Sequence, residues 1–132
     1  MMSGRGEESA PDLLLRAWNV VPVVVADLKG NIVMASSAVV SMFGWEREEE
    51  LVGQPVTGHL VPDDRDRAAA NIARMISGEM VGPVEYRALR KNGVAVAIEV
   101  TGELTRGNDG MPSGLVLLVR EMTERNRAEA DL

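Results

Sequence analysis

From Val84 to Leu104 the chain alternates between apolar and polar residues on both sides of Lys91-Asn92-Gly93. Val84, Tyr86 and Ala88 share one face of the first arm. Val96, Ile98, Val100 and Leu104 share one face of the second, with Glu99, Thr101 and Glu103 opposite. Alternation over this length predicts two half-buried strands joined as a hairpin. A two-residue Asn-Gly turn would set Arg87 against Ile98 and Glu85 against Val100, mixing charge into the apolar face. A three-residue loop sets Ala88 against Val96, Tyr86 against Ile98 and Val84 against Val100. Because a one-residue slip inverts every side chain, the pattern selects this second register, with Gly93 in the left-handed position after a type I turn. Glu85 then faces Glu99, a mild like-charge cost that Arg87 is placed to offset diagonally. One face of the ribbon is apolar and needs a cover.

The remaining segments can supply it. Residues 1–11 are polar and read as a disordered N-terminus. Asp12 caps an expected helix over 12–19 carrying Leu13, Leu14, Leu15, Ala17 and Trp18. That helix is too apolar all round to stand alone in water, which makes it a lid, a dimer contact or both. A strand follows Pro22 and runs to Asp27; Leu28-Lys29-Gly30-Asn31 turns the chain, and Ile32 to Ala35 completes a second hairpin. Ser36 or Ser37 caps a helix over 38–43 that stops at Gly44. The acidic run Glu46 to Glu50 reads as a solvated face. A longer helix over 64–77 gathers Ala68, Ile72, Met75 and Ile76 on one side. After the central hairpin comes a turn at Asn108-Asp109-Gly110, a last strand over 113–120, and a polar helix beginning near Thr123. Strands joined by short turns, with helices segregated between the two groups, predict an α+β domain on an antiparallel sheet.

Composition removes several classes of function. The net charge of −6 argues against nucleic acid and anionic membranes as partners. With no Cys there is no disulfide or thiolate chemistry, and a single His argues against a metal site. The N-terminal residues have no apolar core of signal-peptide type, and no apolar run approaches the roughly 18 residues of a membrane span, so a cytoplasmic protein is expected. Carboxylates cluster in 46–50 and 63–66 without an apolar wall to perturb them, and neither a phosphate-cradling loop nor a nucleophile elbow is present. These absences argue against an enzyme.

Several short pieces, in order, carry a family resemblance. They are Asp27 to Ile32, Phe43-Gly44-Trp45 followed by Glu50 to Gln54, Leu60 to Arg65, Arg90 to Gly93, and Arg120 to Arg125. The chain resembles a PAS sensory domain over 12–122, with 123–132 as the start of a connector helix. The resemblance implies a five-stranded antiparallel sheet with short helices and one longer helix over one face, between an N-terminal cap helix and a C-terminal connecting helix. It also implies a sensor that passes a signal to an attached C-terminal output module such as a histidine kinase or diguanylate cyclase. The exit would lie at Glu121, where the family usually has Asp, and Thr123. A homodimer through the 12–19 helix is the expected assembly.

Within that family the residues argue against the known cofactors. Photoreceptor types bond their chromophore through a Cys. In the haem-binding members the ligating His aligns with Ala68, and a pocket Arg aligns near Val84. The flavin-binding members carry a Trp where this chain has Met80 to Pro83, and His59 falls outside the haem-ligand position, reading as a surface or cap residue. No cofactor or metal is therefore expected. The expected cavity lining is Met34, Phe43, Ile72, Met75, Ile76, Tyr86, Ile98, Val100, Gly102, Leu117 and Val119. Gly102 stands on the inward face of its strand, where a glycine marks close approach of a ligand or of backbone. Two functions remain open: a sensor of a small apolar or weakly polar ligand, and an interaction and dimerisation module whose core is filled.

Overall fold

The central hairpin forms in the register its apolar face requires. Val84 pairs with Val100, Tyr86 with Ile98 and Ala88 with Val96, and Gly93 adopts φ +85° at the tip. A computed structural model describes residues 21–123. The elements are β1 (Val23–Ala26), β2 (Ile32–Ala35), α1 (Ser37–Met42), 3-10 turns at Glu48–Glu50 and Val56–His59, α2 (Pro62–Ile76), β3 (Val84–Leu89), β4 (Ala95–Arg106) and β5 (Pro112–Glu121). The expected 12–19 helix and the helix after Thr123 lie outside the described residues.

The strands make one five-stranded antiparallel sheet in the order β2-β1-β5-β4-β3. Glu85 does face Glu99. Arg120 on the neighbouring strand brings positive charge to that pair: its Nη2 lies 3.5 Å from the Glu99 carboxylate. In β2 the expected alternation fails. A bulge between Val25 and Ala26 pairs Ala26 with Ile32 and Val25 with Met34, leaving Val33 as the extra residue. Ile32 and Ala35 therefore both face the core, while Met34, expected on the inner face, is 45% exposed on the outer one.

The helical segment between β2 and β3 covers the inner face and reaches both sheet edges. On the β2 side, Ile32 N–H donates to Gln54 O and Gly53 N–H to Ile32 O, each at 2.8 Å. On the β3 side, Val61 N–H donates to Arg87 O at 2.9 Å and Arg87 N–H to the Asp64 carboxylate at 2.7 Å. Backbone groups that an edge strand would leave unpaired are thus satisfied by the chain itself. α2 begins at Pro62 rather than Asp64, because proline's missing N–H is no loss in the first turn. It sets Ala68 and Met75 into the core. α1 is capped by Ser36, which is fully buried; its Oγ accepts from Val39 N–H at 3.4 Å and from Val23 N–H at 3.0 Å. The cap therefore ties the helix start to β1.

The acidic run is more than a solvated face. The Glu48 carboxylate accepts from Ala35 N–H at 2.9 Å. Glu50 accepts from Glu46 N–H at 2.9 Å and Arg47 N–H at 3.0 Å, and Lys91 Nζ lies 3.2 Å from its other oxygen. Those hydrogen bonds, the Glu46 and Arg47 amides before Lys91, hold its carboxyl below the usual range.

Candidate functional site

Between α2, the Val56–His59 turn and the inner face of the sheet lies an apolar cavity of about 110 Å³. Strand residues Val24, Ile32, Tyr86, Ala88, Ile98, Val100, Leu117 and Val119 form its floor. Ala68, Ile72 and Met75 descend from α2. Val39 and Phe43 come from α1 and its C-terminal cap, and Trp45, Leu51, Val56, Thr57, His59 and Leu60 from the stretch before α2. This lining contains no Asp, Glu, Lys or Arg. Among the described residues no group of three or more His, Cys, Asp or Glu converges as a metal site requires, and no helix is long and apolar enough to cross a membrane.

Phe43, Ile72, Met75, Tyr86, Ile98, Val100, Leu117 and Val119 stand where the alternation placed them, on this wall. Met34, Ile76 and Gly102 do not. Met34 is turned out by the β2 bulge, and Ile76, the last residue of α2, packs half-buried beside the core instead. Gly102 faces inward, but its space is taken by the chain. A Cβ there would fall on the Met75 sulfur and come within 3.0 Å of Leu117 Cδ2. The glycine admits the thioether of Met75.

Trp45 and His59 are the residues that sequence reasoning missed. His59, expected at the surface or as a cap, lines the cavity and meets Trp45 edge to face, with ring centroids 5.9 Å apart. Gly44, at φ +77°, reverses the chain so that Trp45 N–H returns to Val40 O at 2.9 Å, which turns the indole inward. Lys91 Nζ lies 5.4 Å from the indole ring centroid, and Lys91 N–H donates to Phe43 O at 2.9 Å. The available signal was the apolar bracket of Val56 and Leu60 around Thr57 and His59, which fits a turn packed on the core.

Burial pushes the His59 imidazole below its ordinary range and favours the neutral ring. In the unfolded chain a His titrates near 6.5. The unfolded state therefore takes up its proton first, and stability should fall as pH drops below about 6.5, levelling off under the folded pKa. Glu50, itself lowered, titrates below this window. As the only His in the chain, His59 gives an unambiguous imidazole signal in proton NMR. Its midpoint is expected below 6.5, and His59→Phe should remove the loss of stability between neutral and mildly acid pH. A midpoint at or above the free value would overturn the assignment.

At the far end of the sheet the Arg90 guanidinium pairs with the Glu121 carboxylate. Glu121 thus ties the end of β5 to the residue at the base of the β3–β4 loop. Met122 is buried and donates its N–H to Ala97 O at 2.8 Å, and Thr123 stands exposed just beyond it.

A family model described as the PAS fold matches residues 13–122. Among solved structures, the chain is similar to a PAS domain from Colwellia psychrerythraea, with a TM-score of 0.79 and 24% identity over 89% of this chain and 100% of that one. It is also similar to a light-oxygen-voltage domain from work with a flavin analogue, with a TM-score of 0.70 and 18% identity over 91% and 92% of the two chains. The PAS domain of an HTR-like protein from Haloarcula marismortui gives a TM-score of 0.68 and 16% identity over 85% and 91%. No curated protein matches the sequence.

Proposed function

The chain belongs to the PAS family, and on that premise we propose that it is a sensory input domain that takes a small apolar or weakly polar ligand and relays its presence to a C-terminal output module. PAS domains are in general sensory and signalling modules. The observation that carries the finer reading is the cavity itself, an apolar space of about 110 Å³ in a core otherwise packed around Leu115. Its size supports a ligand without haem or flavin, since neither ring system fits such a volume. Ala68, buried on its wall, offers iron no ligand.

Contacts run from this cavity to the end of the sheet. Phe43 and Trp45 stand on the cavity wall and touch Lys91 at the hairpin tip; Arg90 beside it holds Glu121. A ligand that displaces Trp45 would therefore act on the contact at which β5 ends. The proposal includes a cytoplasmic, non-catalytic domain and an attached output such as a histidine kinase of a two-component system or a diguanylate cyclase.

A second reading, an interaction and dimerisation module, is favoured by the outer face of the sheet. Val33 and Met34 are each 45% exposed there and Leu118 46%, with Val25 and Val116 half-buried between them. Homodimerisation through the 12–19 segment belongs to this reading. Native mass spectrometry of the purified chain tests both at once. A protomer carrying a reproducible small-molecule mass is the result expected of the sensor. Dimers with bare protomers, unchanged after incubation with cell extract metabolites, would leave the interaction module standing instead.

A further inference from the structure

Two polar atoms of the cavity residues are left over. Trp45 Nε1 and His59 Nε2 are both shielded from solvent, and neither has a hydrogen-bond partner among the described residues. Their rings share one corner of the lining, with planes at 86°. The Tyr86 hydroxyl, by contrast, is served: it accepts from Asn71 Nδ2 at 2.8 Å. The third unpaired buried atom, Arg90 Nε, belongs to the end of the sheet and not to this cavity. Buried polar groups are nearly always paired, because an unpaired one forfeits its hydration for nothing. Two such atoms on adjacent rings of an otherwise apolar lining mark where a ligand's polar group belongs once those rings turn to meet it.

The chemistry of the corner narrows that group. An indole N–H only donates, whereas a neutral imidazole nitrogen donates or accepts according to its tautomer. A carbonyl or hydroxyl oxygen suits this pair: it accepts from the indole, and either accepts from the imidazole or, as a hydroxyl, donates to it. A carboxylate does not suit it, since no Lys or Arg lines the cavity to compensate a buried charge. Volume sets the size. At about 110 Å³ the cavity is somewhat smaller than the roughly 150 Å³ site known to hold benzene, so the ligand is on the scale of a single ring.

We propose that the cavity binds a small neutral ligand of the phenol or cyclic-ketone class, with its hydrocarbon ring between α2 and the sheet and its one oxygen at the Trp45–His59 corner. This rests on the reading of the domain as a ligand sensor. Calorimetric titration of the wild-type chain with phenol, cyclohexanone, toluene and benzoate tests it. Phenol and cyclohexanone should bind more tightly than toluene, and benzoate should not bind. In Trp45→Phe, which keeps the ring and removes the N–H, the two oxygenated probes should weaken by several-fold, up to about tenfold, while toluene is unaffected. His59→Phe is the second variant, and the wild-type ranking alone decides the outcome where a variant does not fold. If toluene binds as tightly as phenol, or benzoate binds best, the oxygen site is wrong while the apolar sensor cavity stands. If none of the four binds, the proposal and the ligand reading fall together.

Discussion

Gly102→Leu should melt roughly 4–12 °C below the wild type with the fold intact, a loss of about 1–3 kcal/mol. The inward position of Gly102 is filled by Met75, so an added isobutyl group has to displace both that side chain and Leu117, which meets the new Cβ at 3.0 Å. The backbone is not the obstacle, because φ at Gly102 lies outside the left-handed region. Gly102→Ala is the informative companion. Its single methyl meets the far end of Met75, a flexible thioether that borders the cavity and has room to swing into it. Alanine should therefore cost little stability while narrowing the cavity, and it should weaken any ligand that touches Met75. Thermal melts of the three proteins, with ligand titrations on the wild type and Gly102→Ala, measure both effects. A leucine variant that melts at or above the wild type would show that the space beside Gly102 is open after all.

Ser36→Ala should cost about 2–3 kcal/mol, a large effect for the loss of one oxygen. The hydroxyl is fully buried and serves two backbone donors, Val39 N–H in the first turn of α1 and Val23 N–H at the start of β1. Ser36 N–H also donates to Val23 O at 2.9 Å, so the residue is joined to both backbone polar groups of Val23. Alanine keeps that last bond and strands the two donors away from water. Urea denaturation should show a lower midpoint at unchanged slope, with faster hydrogen exchange at the Val23 amide. A loss below about 0.5 kcal/mol would mean that the cap relaxes and finds other partners.

Residues that obey a simple period were legible in the sequence. The β3–β4 register followed from keeping Tyr86, Ile98 and Val100 on one face, and the inner side of α2 followed from the spacing of Ala68, Ile72 and Met75. Local chemistry was legible too: a serine cap at 36 or 37, which is Ser36, a helix stop at Gly44, and a left-handed Gly93. Positions where tertiary structure overrides the local period were not. The β2 bulge turns Met34 outward and gives Ile32 and Ala35 the same face, a spacing that alternation forbids. Gly102 was legible as a close approach but not its partner, since Met75 arrives from another element. His59 and Trp45 meet across a stretch with no repeating pattern, and nothing in the residue order brings the rings together. The carboxylates of Glu48 and Glu50 look like solvated charge in one dimension, and only the folded chain supplies the amides they bind.

The strand order has a consequence for how the chain folds. β1 and β2 form a local hairpin, and β3, β4 and β5 form a local meander. Within the sheet the two halves join through β1 and β5, where Val24 meets Leu117 and Ala26 meets Leu115 across nearly the whole described length. Local pairs close at small entropic cost, whereas this one has to bring the first and last strands together, so it governs the folding rate. The cavity floor is built from both sides of that seam, with Val24 and Ile32 from one half and Leu117 and Val119 from the other. Before β1 and β5 zip there is no floor for a ligand to rest on. A compound bound there holds the two halves together, so it should slow the unzipping of the seam more than it speeds the first search for it.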